Sequence, residues 1–319
     1  MQSSIKSKLI LCLFTVLMMA VAVAIPFSSN ITHSLAALTS PQTIASGIVP
    51  SPTASPPQPT QTREPAKWTI QEGIPYATLN GTTYLLNIYT SVPPPSGNAP
   101  IVLFFHGCCN PATNRDTALR LGKKPTDPHE FMFRALLNNG YLVATLDYPA
   151  QYPVTNMYDA EAGKAAVRFF RANASTYHID STRIIAWGSS AGGNPITIMG
   201  TADKSAGLDV GQYLNYSSRV EGVLDWYGDV NTQYVTSDDA PFLIQQGTND
   251  SKSTIAGSVK MYNALMAANV FVQLQYVQNA GHQFSSRTGS SNPDFEGIAQ
   301  TAITFLNAMV RDNPNPLPQ

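Results

Sequence analysis

The chain has 319 residues, of which 43% are apolar and 12% are charged. This composition allows a large hydrophobic core, and the length allows one large domain or two small ones. The net charge is −1, from 19 basic and 20 acidic side chains. Such a balance provides neither a basic surface for nucleic acid nor an acidic tail, so we expect no nucleic-acid partner.

The N-terminal segment is typical of an exported protein. Lys6 and Lys8 precede an apolar run from Leu9 to Pro26, and residues 1–26 are predicted to be a signal peptide or a membrane anchor. Small residues near the end of the run favour cleavage. The run approaches the roughly 20 residues that span a bilayer, so an uncleaved segment that tethers the protein to a membrane is the alternative. Both alternatives predict a secreted or cell-surface protein.

Residues 27–67 are rich in Ser, Thr and Pro, a composition that cannot bury a core and is typical of a disordered linker. A single domain is predicted over residues 68–313, followed by a short tail at 314–319. Outside the apolar run, the only cysteines are the neighbours Cys108 and Cys109. We therefore expect no disulfide framework and no metal site. The two thiols could form a vicinal disulfide or act as small apolar side chains.

Short apolar runs alternate with amphipathic segments along the domain. Strands are predicted at residues 84–89, 101–105, 141–146, 183–187, 220–226, 242–246 and 271–277. Helices are predicted at residues 131–138, 160–172, 254–268 and 295–310. This alternation indicates an α/β domain with a mostly parallel sheet, in which ligands bind beyond the carboxyl ends of the strands.

The strand predicted at 183–187 runs into a G-x-S-x-G motif, Gly188-Ser189-Ser190-Ala191-Gly192. Between a strand and a helix, this motif forms a sharp turn that exposes its central serine and directs helix N-terminal N–H groups to the same space. Ser190 is therefore the candidate nucleophile. The alternatives are Ser189, one residue out of register, or a glycine-rich turn with an incidental serine.

A nucleophilic serine needs a general base, and His282 is the only histidine that follows Ser190 in the chain. It lies in a loop after the last predicted strand, which places it at the carboxyl edge of the sheet. Of the other histidines, His33 lies in the linker, and His129 and His178 are interpreted as surface or helix-capping residues. His106 is interpreted as a brace for its loop.

Asp250 is the candidate for the carboxylate that orients His282, because it follows the strand predicted at 242–246. Asp225 is the alternative, with Asp229 behind it, after the preceding strand. The order Ser–Asp–His is the order found in α/β hydrolases. The loop that begins at His106 should supply the oxyanion hole, with backbone N–H groups of Gly107 and Cys108 joining that of Ala191.

The chain resembles the esterases of the α/β-hydrolase superfamily, close to the group with a His-Gly-Gly-Gly loop, and related acetyl and feruloyl esterases. The resemblance is carried by four stretches: residues 105–107, 159–193, 247–250 and 281–282. The sequence departs from the pattern at Cys108 and Cys109, where glycines are usual. The resemblance implies an eight-stranded, mostly parallel twisted sheet with helices on both faces, and it implies carboxylic-ester hydrolysis by Ser190, Asp250 and His282.

The predicted activity is hydrolysis of a small-molecule or carbohydrate-linked ester through an acyl-enzyme intermediate, without a metal or organic cofactor. Two alternatives stay open. The same triad could serve an exported peptidase or a polyester depolymerase, or the fold could be a non-catalytic surface protein.

Overall fold

The computed structural model describes residues 67–107, 127–149, 157–286 and 293–313, which belong to one compact unit, Gln61–Gln319. The predictions for residues 1–26, for the linker as far as residue 66, for the tail at 314–319 and for Cys108 and Cys109 lie outside these ranges. The first strand begins at Lys67, one residue before the predicted domain boundary. No helix within the described ranges is long and apolar enough to cross a membrane.

Eight strands form one sheet in the order β1-β2-β4-β3-β5-β6-β7-β8. The strands are β1 Lys67–Leu79, β2 Thr82–Val92, β3 Ala99–Phe105, β4 Leu142–Leu146, β5 Ile179–Ser189, β6 Gly222–Trp226, β7 Phe242–Gly247 and β8 Val272–Val277. Strand β2 is antiparallel to both β1 and β4, and all pairs from β4 to β8 are parallel. The predicted eight-stranded, mostly parallel sheet is therefore confirmed.

The α-helices are α1 Pro128–Asn138, α2 Tyr158–Ala172, α3 Ala174–Tyr177, α4 Gly193–Thr201, α5 Ile255–Ala267 and α6 Phe295–Leu306. Helix α1 begins three residues before its predicted start because Asp127 caps it and Pro128 is preorganised for the first turn. Helix α4 follows the G-x-S-x-G motif directly.

Alternate residues of the buried strands face opposite layers of helices, as the period of two requires. Ile101, Leu103 and Phe105 of β3 pack in a cluster with α2, α4 and α5. Val102 and Phe104 pack in a second cluster with α1 and α6. Strand β3 is buried along its whole length, so the centre of the sheet is a rigid support for the loops at its carboxyl edge.

One buried ion pair fixes the helix before the motif to the strand that carries it. Arg171 of α2 donates from Nη2 to Oε1 of Glu221 at 2.6 Å, and both side chains are almost fully buried. The other carboxylate oxygen accepts the backbone N–H of Ile184 in β5 at 2.7 Å. Residues 171–184, part of the stretch that carries the family resemblance, thus have a structural role in holding β5.

Candidate active site

Ser190 lies at a sharp turn between β5 and α4. Its φ is +55°, a left-handed conformation that is costly for a non-glycine residue and is found at functional sites. A Cβ on Gly192 would lie 2.2 Å from the carbonyl oxygen of Phe105, so only glycine allows the turn to pack this close to β3. The turn leads directly into a helical segment, whose first N–H groups have no partners within the helix.

His282 follows β8 and reaches the serine. Its Nε2 lies 2.9 Å from Oγ of Ser190, and its Nδ1 lies 2.9 Å from Oδ2 of Asp250. A neutral imidazole that donates from Nδ1 to the carboxylate presents a free lone pair at Nε2, which accepts the serine proton. The three residues that sequence analysis selected therefore form one continuous hydrogen-bonded line.

The acid is more fully enclosed than the base, with the Asp250 side chain 0% exposed and the His282 side chain 13% exposed. Oδ1 of Asp250 accepts the backbone N–H groups of Lys252 at 2.8 Å and Ser253 at 3.0 Å. Oδ2 faces the imidazole, with Nε2 of Gln246 more distant at 3.4 Å. These donors fix the carboxylate in the orientation that the imidazole requires.

Backbone hydrogen bonds join the loops that carry the acid and the base. The N–H groups of Thr248 and Asn249 donate to the carbonyls of Val277 and Ala280 at 3.0 and 2.9 Å. Beyond these, the N–H of Gly281 donates to Ser285 at 2.9 Å, and the buried ring of Phe284 anchors the His282 turn. The spacing of Asp250 and His282 thus follows from the pairing of β7 with β8.

The loop after β3 lies directly against the nucleophile. A Cβ on Gly107 would be 3.1 Å from Cβ of Ser190, so a larger side chain would crowd the serine. Gly107 therefore lies beside Ser190, and Ala191 is the next residue in the chain after the serine. Cys108, the third predicted contributor, is outside the described residues.

His106 and Tyr148 hold this loop in place. His106 donates from Nδ1 to the carbonyl of Gly107 at 2.8 Å, and burial lowers the pKa of its imidazole. The buried Tyr148 donates its hydroxyl to the carbonyl of His106, and burial raises the pKa of that phenol well above its usual value. His106 thus has the contacts of a loop brace. Tyr148 was missed by sequence analysis, although it follows β4 at the same edge.

The alternatives to the selected residues have other contacts. The hydroxyl of Ser189 is buried and lies 3.3 Å from Nε2 of His129. Asp225 accepts the N–H of Gly228 at 3.0 Å, and the N–H of Asp229 donates to the carbonyl of Ser190 at 2.9 Å. The two aspartates therefore hold a turn against the nucleophile, whereas Asp250 alone of the three candidate acids is hydrogen-bonded to His282.

The interpretation of His129 as a surface or capping residue is wrong in part. Asp127 is the capping residue of α1, and the His129 ring is turned inward, with a side chain 14% exposed. His178, by contrast, is exposed and ends α3 in a left-handed conformation, as a capping residue. Within the described ranges, no three His, Cys, Asp or Glu side chains are grouped so that they could hold a metal ion.

Comparisons with known proteins agree with this architecture. Residues 86–233 match the BD-FAE family model, which describes α/β hydrolases of the feruloyl/acetyl esterase type. No match was found among curated proteins. The chain has the α/β-hydrolase fold. Its resemblance to the esterases of this superfamily is confirmed.

Solved structures of esterases share the fold at low identity. A carbohydrate esterase from gut microbiota superposes with a TM-score of 0.57 and 19% identity, covering 74% of this chain and 95% of the other. Esterase 2 of Thermogutta terrifontis superposes with a TM-score of 0.59 and 16% identity, covering 79% of this chain and 95% of the other. An acetyl ester-xyloside bifunctional hydrolase from Caldicellulosiruptor lactoaceticus superposes with a TM-score of 0.56 and 18% identity, covering 72% of this chain and 89% of the other.

The buried Asp225 generates a prediction about stability. Its side chain is fully buried, and desolvation raises its pKa to about 7 from an ordinary value of 3.8. As pH rises from about 4 to about 7, the unfolded chain loses this proton while the folded protein keeps it. The folded state is therefore progressively destabilised across that window, by on the order of 4 kcal/mol in total.

Urea unfolding of the wild type and of Asp225→Asn at several pH values measures this effect. The free energy of unfolding of the wild type should fall relative to that of the variant between pH 4 and 7 and stay level above pH 7. A difference between the two proteins that does not change with pH would contradict a raised pKa at this position.

Proposed function

We propose that the chain is a serine esterase in which Ser190 is the nucleophile, His282 the general base and Asp250 the residue that orients the base. The observation that carries the proposal is the unbroken line of two 2.9 Å hydrogen bonds from Ser190 through His282 to Asp250. This line lies at the carboxyl edge of a sheet whose fold the esterases share.

The reaction proceeds in two steps. His282 accepts the proton of Ser190 through Nε2 as the hydroxyl oxygen attacks the ester carbonyl, and Asp250 stabilises the imidazolium that forms. The oxyanion of the tetrahedral intermediate accepts hydrogen bonds from backbone N–H groups of Ala191 and of the loop at Gly107 and Cys108. The imidazolium protonates the departing alcohol, and His282 then activates water to release the acid.

Substitution of the two candidate acids tests the assignment of roles. Asp250→Asn should lower kcat at least a hundredfold, because an amide can donate to Nδ1 and stabilise the wrong tautomer. Asp225→Asn should change kcat less than about threefold, because the amide oxygen still accepts the N–H of Gly228. Hydrolysis of p-nitrophenyl acetate gives both values, and Ser190→Ala provides the inactive reference. The reverse ranking would move the acid to Asp225.

For the substrate, we propose a short-chain or feruloyl ester of a carbohydrate. Next to His282, a depression of about 580 Å³ is lined largely by exposed polar side chains of the loops after β7 and β8. Asn249, Ser251, Lys252 and Asn279 provide the amide, hydroxyl and ammonium groups there, which suit the hydroxyl groups of a sugar. The esterase-type family match and the carbohydrate esterase that shares the fold also support this choice.

Removal of two of these polar groups tests the carbohydrate assignment. The double variant Asn249→Ala/Lys252→Ala should raise KM for an acetylated xyloside about tenfold, from the loss of two hydrogen bonds, and much more than KM for p-nitrophenyl acetate. Lys260→Ala, on the exposed face of α5, is the matched control. Equal effects on the two substrates would reject a sugar site in this depression.

We also propose that the protein is exported, with residues 1–26 acting as signal peptide or anchor and residues 27–66 as linker. The support is the basic residues followed by an apolar run at the N-terminus. N-terminal sequencing of the protein recovered from outside the cell distinguishes cleavage from anchoring, and recovery only from the cytoplasm would reject export.

A further inference from the structure

A second chain of hydrogen bonds between an aspartate, a histidine and hydroxyl groups lies beside the first. Oδ1 of Asp127 lies 3.0 Å from Nδ1 of His129. On the other side of the ring, Nε2 of His129 lies 3.1 Å from the hydroxyl of Tyr227 and 3.3 Å from the hydroxyl of Ser189. Sequence reasoning did not connect these four residues, which we call the support network.

The donor and the acceptor of each hydrogen bond in the support network follow from the Asp127 carboxylate, which can only accept. The Asp127 carboxylate accepts the proton on Nδ1 of His129, which leaves Nε2 as an acceptor. Tyr227 is fully buried and donates its phenolic proton to that nitrogen. The Ser189 hydroxyl lies on the same side of the ring, 3.3 Å from the same nitrogen. The imidazole therefore holds the phenol in one position.

The His129 ring has little freedom to move. It packs against the rings of Phe104, Trp187 and Trp226, at centroid distances of 5.5, 6.0 and 5.5 Å. These side chains belong to β3, β5 and β6, at the centre of the sheet. These contacts fix the His129 imidazole against the sheet, and its hydrogen bond to Tyr227 then fixes the phenol.

Tyr227 in turn packs on the base of the proposed triad. Its ring meets the imidazole of His282 edge-on, at a centroid distance of 5.1 Å and an interplanar angle of 66°. It meets Phe284, in the same turn, at 4.7 Å and 88°. Tyr227 also has a φ of +40°, a strained conformation for an aromatic residue that the surrounding contacts must maintain.

We propose that His129 and Tyr227 are positioning residues for His282: the Asp127–His129 pair anchors the Tyr227 hydroxyl, and the Tyr227 ring fixes the imidazole in line with Ser190. This inference rests on the proposed esterase function. Neither residue touches the reacting atoms, so their loss should lower kcat and leave KM nearly unchanged, since a small displacement of a catalytic group slows the chemical step.

A double-mutant cycle with Tyr227→Phe and His129→Phe tests the inference on the full chain. Each substitution keeps an aromatic ring and removes one end of the same hydrogen bond. Each single variant should lower kcat for p-nitrophenyl acetate about tenfold, with KM within about twofold of wild type. The double variant should be no slower than the slower single variant, because both changes act on kcat through loss of the same His129–Tyr227 hydrogen bond.

Two further variants separate positioning from stability. His129→Gln supplies an amide oxygen near the place of Nε2 and should recover most of kcat, even where urea unfolding shows that it is less stable. His178→Gln, at the exposed end of α3, is the matched histidine control and should leave kcat unchanged. If His129→Phe does not fold, Tyr227→Phe and His129→Gln carry the test.

Two results would overturn the inference: a folded His129→Phe protein with wild-type kcat, or losses that multiply in the double variant. Recovery of kcat by His129→Gln together with the non-multiplying losses would support it. The absence of any turnover by the wild type would instead reject the proposed function, so the two failures are distinguishable.

Discussion

The hydrogen-bonded line from Ser190 to Asp250 depends on the register of three parallel strands. Strand β5 carries the serine, β7 the acid and β8 the base, and all three end at one edge of the sheet. Pairing of Gln246 with Tyr276 and of Gly247 with Val277 brings the acid loop and the base loop together. A shift of one residue in the pairing of β7 with β8 would reverse which side chains of the shifted strand face the core. The two 2.9 Å contacts would then be lost.

Asp225, near the end of β6, and Asp250, beyond β7, differ in their surroundings. Asp250 faces two backbone N–H groups and an imidazole, so its charge is compensated on both oxygens. Asp225 has one backbone donor for Oδ1 and, among the described residues, no partner for Oδ2. An uncompensated buried carboxyl group is held neutral. Asp225 is suited to hold a turn, and Asp250 is suited to orient an imidazole.

Much of this arrangement could be predicted from the sequence, because strand-ending positions fix the edge at which a loop emerges. That rule predicted Ser190, Asp250 and His282 at one edge, where hydrogen bonds join them, and it favoured Asp250 over Asp225. It could not find the support network. His129 opens a helix, and nothing in Asp127-Pro128-His129 distinguishes a ring turned towards solvent from one packed on Trp187 and Trp226. That contact depends on the packing of α1 against the sheet.

We propose that Ser190, and not its neighbour Ser189, is the activated hydroxyl. Thermogutta terrifontis esterase 2, which shares the fold, is phosphorylated by paraoxon. Treatment of this protein with paraoxon, followed by mass-spectrometric fragmentation of the peptide that contains both serines, locates the phosphoryl group directly. We expect a single adduct on Ser190 that is absent from His282→Ala. An adduct on Ser189, or none in the folded wild type, would contradict it.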